Sequence, residues 1–339
     1  MLRDPVALAH RLVDIPSVSG EEAEAARFVA GHLADLGYQV EVFEAAPGRP
    51  NVLATTDRSP RVVLSTHLDT VPPHLPAREE AGFLQGRGAC DAKGIIAAQI
   101  AAAERLRAVG VSEIGLLFVV DEEMGSAGAR AANAHPRAGE CQWLIDGEPT
   151  ENKLAAGCKG SLRLTLRTEG ITAHSAYPEQ GRSAIDLLLD MLADVRRSAW
   201  PTDPFFGDTT VNIGVIAGGS RPNVVAGEAR ADLQIRLVTD AEPVKRLLGQ
   251  IVGGRARIEY LTAVNPLHLT TVPGFETCVV RFTTDIPHLT NWGTPLLIGP
   301  GSILDAHTAH ERIALAELMA GTDAYVRLVR ALLQGRAAA

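Results

Sequence analysis

Residues 114–123 read IGLLFVVDEE, an unbroken apolar run that ends in three acids. A run that does not alternate suits a strand buried on both faces. The acids mark where the chain leaves the sheet. A short helix at about 127–134 comes next, and then another buried strand, QWLIDG at 142–147. Upstream stand the strand RVVLSTHLD at 61–69 and the Ala-rich helix DAKGIIAAQIAAAERLRAVG at 91–110, which stops at Gly110, a good residue for the left-handed turn after a helix. Before these, apolar residues fall at helical spacing over 4–15 and 21–37, with Ser19 and Glu22 spaced as a capping box for the second helix. The strands YQVEVFE and PNVLATT follow. Strands alternating with helices predict an α/β domain with a largely parallel sheet flanked by helices.

The pattern changes after Gly157. SLRLTLRTEG alternates apolar and polar residues, as a half-solvated antiparallel strand does. A helix at about 182–198, the strands TTVNIGVIAG and EARADLQIRLV, and a helix and strand over 241–262 complete a strand–helix–strand–strand–helix–strand order. That order is a small α+β, ferredoxin-like unit. From about residue 271 the first style returns with VVRFTTD, TPLLIGPGS and a helix at about 311–335. The expectation is a catalytic domain of residues 1–158 and 268–339, split by an inserted domain of residues 159–267, with RAAA at 336–339 a frayed tail.

Composition narrows the function. The chain has 339 residues, 46 % apolar and 21 % charged, which is ordinary for a globular protein. Thirty-two basic against 40 acidic residues give a net charge of −8, and aromatics are 4 %. A nucleic-acid binder shows the opposite charge and more stacking rings. No apolar run reaches the roughly 18 residues that span a bilayer, and the N-terminus lacks a signal-peptide layout. Cys90, Cys141, Cys158 and Cys278 lie far apart with no C-x-x-C pair, which points to a thiol-reducing cytoplasm.

Metal-ligand residue types collect where strands end: His67 and Asp69; Asp121, Glu122 and Glu123; Asp146 and Glu148. Asp91 stands in a Gly-rich turn at the mouth of a helix, and His307 and His310 come from the far end of the chain. Sites in open α/β sheets form outside the carboxyl ends of strands, so all five segments can meet in one crevice. Taken singly, each has an ordinary explanation: a hydrogen-bonded His–Asp pair, an Asp helix cap, a solvated Glu-Glu turn, a loop Glu before Pro149, a surface histidine. Taken together, several carboxylates in one pocket repel unless a divalent cation lies among them. Imidazole with carboxylate favours zinc, with manganese or cobalt possible. Asp91, alone in its turn, is the candidate to bridge two ions. No H-E-x-x-H, G-x-S-x-G, dinucleotide fingerprint or Walker loop is present.

The strings STHLDTVP, GRGACDAKG, DEEMGSAG, IDGEPTENKL, TAHSAYPEQGRSAID and GPGSILDAHTAHERI resemble a known family. It comprises the dinuclear-zinc amidohydrolases and exopeptidases, among them acetylornithine deacetylase, succinyl-diaminopimelate desuccinylase, aminoacylase and carboxypeptidase G. The resemblance runs through nearly the whole chain in the family's order. It implies that His67, Asp91 and Glu148 hold one zinc, that Asp91, Glu123 and His307 hold the second, and that Glu122 is the general base. It makes Asp69 the carboxylate that orients His67, and His174 a donor to the oxyanion, often across a dimer. The inserted domain becomes a lid and dimerisation domain, hinged near 157–160 and 266–271. Asn223 and Arg236 match lid residues that hold a substrate carboxylate, and the turn Gly299–Ser302, with Gly301, either adds backbone donors there or is only a tight turn. The chain departs from the family at Ala226, where Pro is common, at His310, where Asp is common, and in its short 264–298 segment.

The implied activity is hydrolysis of N-acyl amino acids of the acetylornithine deacetylase kind, by a homodimer. The alternatives are a dipeptidase or aminopeptidase, or a succinyl-diaminopimelate desuccinylase-like enzyme. A non-catalytic binding protein on the same fold would have lost a ligand or the base, and all six positions are filled.

Overall fold

The computed structural model describes residues 4–56 and 59–335, so the RAAA tail lies outside the described residues. The chain divides into two compact units. One comprises the chain up to Ala156, Leu269–Cys278 and the part from Thr284 on; the other comprises Gly157–His268 with Val279–Thr283.

The first unit is built on a mixed six-stranded sheet. Its order is Gln39–Ala46, Arg49–Thr55, Ile114–Val119, Val62–His67, Trp143–Asp146, Thr294–Leu297. The last four strands are parallel, and the first two form an antiparallel edge. Every residue of Val62–His67 and Ile114–Val119 is buried, as parallel strands covered on both faces must be. The pleat sends Leu64, Leu116 and Phe118 to one core, shared with Leu8 of helix α1 (Pro5–Asp14), Ile95 of α3 (Lys93–Arg107) and Leu328 of α7 (Leu315–Leu333). Val63, Leu117 and Val119 face a smaller core with Ala129 and Ala132 of α4 (Ala127–Asn133) and with Trp292. The predicted α/β domain with its mostly parallel sheet is thus present.

Three local expectations need correction. Ser19 and Glu22 make no capping box for α2 (Ala23–Asp35), whose N-cap Glu22 forms no side-chain cap bond. The Ser19 hydroxyl donates instead to Asp69 Oδ2 at 2.7 Å, and Glu22 pairs with Arg49. VVRFTTD is not a strand throughout. The strand is Thr277–Val280, and the Thr284 hydroxyl accepts from the amide of Ile286 where a short 3-10 turn containing Pro287 begins. The last helix starts at Leu315 rather than 311, because Arg312–Ala314 is drawn into pairing with Phe83–Gln85.

The second unit is a four-stranded antiparallel sheet in the order Thr210–Gly218, Glu228–Leu237, Gly160–Glu169, Arg257–Val264. Leu162, Leu164, Leu166, Ala231, Leu233 and Ile235 pack with α5 (Ala184–Arg197) and α6 (Ala241–Val252). The chain runs through it as strand–helix–strand–strand–helix–strand, as the alternating pattern predicted. Among the described residues, no helix is long and apolar enough to cross a membrane.

Candidate metal centre

Three neighbouring parallel strands deliver most of the site at their carboxyl ends. His67 is the last residue of Val62–His67 and lies opposite Val119, two residues before Asp121. Trp143–Asp146 runs alongside and leads to Glu148, whose loop is pinned by the Gly147 amide donating to Ser65 O at 2.7 Å. Asp91 precedes α3, but the cap position belongs to Ala92, so Asp91 is not spent as a helix cap. His307 arrives on the loop before Arg312–Ala314. Asp121 and His307 hold left-handed backbone, φ 71° and 61°, a conformation that non-glycine residues adopt at a cost of about 1–3 kcal/mol.

The ligand atoms fall into two groups, each within 4.8 Å: His67, Glu122 and Glu148; and Asp91, Glu123 and His307. Asp91 joins the two. Its Oδ1 is 3.0 Å from Nε2 of His67, and its Oδ2 is 3.1 Å from Nε2 of His307, which lies 2.8 Å from Glu123 Oε1. One carboxylate thus offers an oxygen towards each group, as a ligand shared by two ions does. The second group brings together the three residues that the resemblance assigns to one ion. The first holds His67 and Glu148 as expected, with Glu122 beside them.

Electrostatics fit a pair of cations. Burial pushes Glu148 well above the usual carboxylate range, reinforced by the charges of Glu122 and Asp91. Burial likewise raises Glu122, with Asp285, Glu123 and Asp91 pushing in the same sense and His67 opposing. Asp91 is held low despite burial by its hydrogen bonds with His307 and His67. Bonds to Asp91 and Glu123 push His307 up to about 10. Without a cation, then, protons balance the acids. The charge and the donor types suit two divalent ions, and harder oxygen-rich or softer imidazole-bearing groups in this mix admit zinc, manganese or cobalt.

A scan against protein-family models matches residues 63–331 to Peptidase family M20/M25/M40. The chain belongs to this family. Among its relatives are a peptidase M20 domain-containing protein of Schizosaccharomyces pombe, 36 % identical over 96 % of this chain and 84 % of that one, and a protein named probable carboxypeptidase of Aspergillus terreus, 36 % identical over 96 % and 86 %. Its fold is similar to that of a Staphylococcus aureus tripeptidase (TM-score 0.79, 20 % identity, 97 % and 98 % covered) and of the M20 metallo-carboxypeptidase Sso-CP2 of Sulfolobus solfataricus (0.76, 18 %, 96 % and 98 %).

In this M20 chain Asp69 meets both the His67 ring and the Glu122–Glu123 turn. Nδ1 of His67 donates to the main-chain oxygen of Asp69 at 2.9 Å, while the carboxylate stands 3.6 Å away. That bond directs Nε2 to the site. The Asp69 carboxylate also accepts from the amides of Glu122 at 3.0 Å and Glu123 at 3.3 Å and from Ser19. It therefore sets the backbone that carries two site carboxylates. Asp69→Asn puts an NH₂ against one of those donors; kcat is expected to fall about 10–100-fold with the fold retained, read by steady-state kinetics beside circular dichroism. Unchanged kcat would remove Asp69 from the positioning of this turn.

Other predicted residues fare variously. Gly301 is not a spare donor: its amide donates to Glu317 Oε1 at 2.9 Å, and a Cβ there would stand 2.6 Å from Cys90 Cβ at φ +93°. The tight-turn reading holds, because the amide is already committed. His174, Asn223 and Arg236 belong to the second unit. His174 is exposed, and its Nδ1 accepts from the Ala176 amide at 3.1 Å, which leaves the proton on Nε2. Asn223 is exposed and Arg236 half-buried. Asp146, to which the resemblance gives no role, joins neither ligand group.

The sequence reading missed Asp285 and Glu311. The signal for Asp285 is an acid closing a strand-like run, VVRFTTD, as at Asp121; Glu311 directly follows His310. Burial pushes Asp285 up to about 7 and Asp146 up to about 8 from an ordinary 3.8. A raised acid holds, when folded, a proton that the unfolded chain has released, so stability falls as pH climbs from about 4 to 7 or 8; His307, raised from 6.5 to about 10, extends the fall. The low-held Asp69 and Asp91 act only in acid. The melting temperature of the chelator-treated chain is therefore expected to drop from pH 5 to 9, and Asp285→Asn to flatten the part below pH 7. A melting temperature that rises over this range would contradict these directions.

Proposed function

We propose that the protein hydrolyses the amide bond on the amino group of a small amino acid with a free carboxylate. The substrate is an N-acyl amino acid, of which acetylornithine is the specific case, or the C-terminal residue of a short peptide. The observation that carries this reading is Asp91 spanning two groups of ligand atoms with Glu122 beside them. The carboxypeptidase names of relatives that share 36 % of positions support the requirement for a free carboxylate.

His67, Asp91, Glu123, Glu148 and His307 would hold the cations. When bound, two such ions supply the positive charge that acidifies water and steadies a developing oxyanion. Glu122, whose carboxyl is held at a raised affinity for protons, takes the proton of the attacking water and passes it to the departing amine nitrogen. His174, with its proton on Nε2, suits donation to the oxyanion, and Arg236 with Asn223 suits the substrate carboxylate. Pairing through the second unit is supported by the exposed Val215 and Ile216 on its edge strand. The four cysteines, spread along the sequence with no C-x-x-C pair, accord with a reducing cytoplasm.

The test is a panel assay with defined zinc, manganese and cobalt. It sets N-acetylornithine, N-acetylcitrulline, N-succinyl-diaminopimelate and N-blocked dipeptides against free dipeptides and aminoacyl amides. Turnover of blocked substrates with a free carboxylate is expected. Turnover confined to substrates with a free amine would replace this reading with an aminopeptidase.

A further inference from the structure

Glu311 is 1 % exposed and lies four residues after His307. One of its carboxylate oxygens, Oε1, accepts from three consecutive-loop amides: Gly88 at 2.9 Å, Asp91 at 3.2 Å and Cys90 at 3.3 Å. The other, Oε2, accepts from Nη1 of the buried Arg87 at 2.6 Å. Its own main-chain oxygen accepts from the Gly86 amide at 3.0 Å, and the pairing continues as Arg312 opposite Gln85 and Ile313 opposite Leu84. The loop so gripped is packed without slack. A Cβ at Gly88, φ +89°, would come within 2.8 Å of Lys93 Cδ, and one at Gly94 within 2.2 Å of the Ala89 carbonyl oxygen.

A buried charge pair alone is weak support for stability, and a single Arg87 contact would satisfy Glu311. The gathering of three amides from the turn that carries Asp91 is a different matter. It ties the loop of Asp91 to the segment of His307, and these two residues face each other at 3.1 Å. We infer that Glu311 is a positioning residue for the metal centre: its carboxylate locks the 88–91 turn to the His307 segment, so that Asp91 presents one oxygen to each ligand group. The inference rests on Asp91 holding both cations.

Two double variants separate this role from plain stability. Arg87→Met with Glu311→Gln removes the charge pair and keeps an oxygen for the amides; Arg87→Met with Glu311→Ala removes both. Each full-length protein is stripped with chelator and titrated with Co(II), followed by calorimetry and visible absorption, beside its melting curve. The wild type is expected to bind two ions. The Gln form is expected to keep its Co(II) affinity within about threefold and its spectrum. The Ala form is expected to bind at least one ion about 10–100-fold more weakly, with an altered spectrum. Glu311→Asp, which keeps the charge for Arg87 but shortens the reach, should show the same weakening and carries the comparison should the Ala form not fold. Wild-type affinities and spectrum in the Ala form, or in Glu311→Asp where that stands in for it, overturn the inference. A wild type that binds no ion pair overturns the metal centre itself and this inference with it.

Discussion

Glu122→Ala is expected to lower kcat by about 10²–10⁴, the usual contribution of a positioned acid–base group, while leaving two metal equivalents on the protein. The outcome is informative because geometry allows Glu122 two roles. Its ligand atom lies within 4.8 Å of those of His67 and Glu148, so it could serve as a ligand; unlike Asp91 and Glu123, it is not tied to an imidazole by a short bond among the described residues and could equally move a proton. The backbone is held in either case, because Asp69 grips the amides of Glu122 and Glu123 whatever the side chain at 122. Removal of a base abolishes turnover and spares metal content. Removal of a ligand costs metal as well. Metal analysis beside kcat separates the two, and full activity would remove Glu122 from the mechanism altogether.

Asp91→Asn is expected to cost about 10³-fold or more in activity, with the loss of at least one cation. The substitution preserves shape and can still bond to one imidazole, but it removes the negative charge and one of two accepting oxygens. Several kcal/mol of charge stabilisation depends on the ions that Asp91 would share, and each 1.36 kcal/mol is tenfold in rate. Glu123→Gln touches only the second group and should be milder in metal content, with one ion retained. Equal metal content in Asp91→Asn and wild type, measured by elemental analysis after dialysis, would show that Asp91 bridges nothing.

The gathering of His67, Asp91, Glu122, Glu123, Glu148 and His307 was legible because each sits at a strand end or a Gly-rich turn, where chemistry-bearing types stand out against apolar text. Asp285 and Glu311 were not legible in that way. An Asp after Thr-Thr and a Glu after His look like solvated loop, and only the pairing of distant segments buries them. Ser19 misled for a related reason. Its spacing to Glu22 fits a cap, but Asp69, fifty residues away, competes for the hydroxyl and wins. Gly301 was open to two readings because a Gly-rich turn offers amides in any fold; which acceptor takes them depends on α7, which supplies Glu317.

Local pattern alone determined the element types, the parallel sheet, the change to an alternating antiparallel unit after Gly157, and the residue types able to bind cations. Periodicity and residue chemistry are properties of neighbouring positions, so they survive without coordinates. Tertiary structure alone decided that Asp91 reaches both imidazoles, that Asp69 holds the Glu122–Glu123 backbone, and that Glu311 closes the turn of Asp91. Those are contacts across 24 to 220 positions of chain, set by which strands and loops the packed core brings side by side.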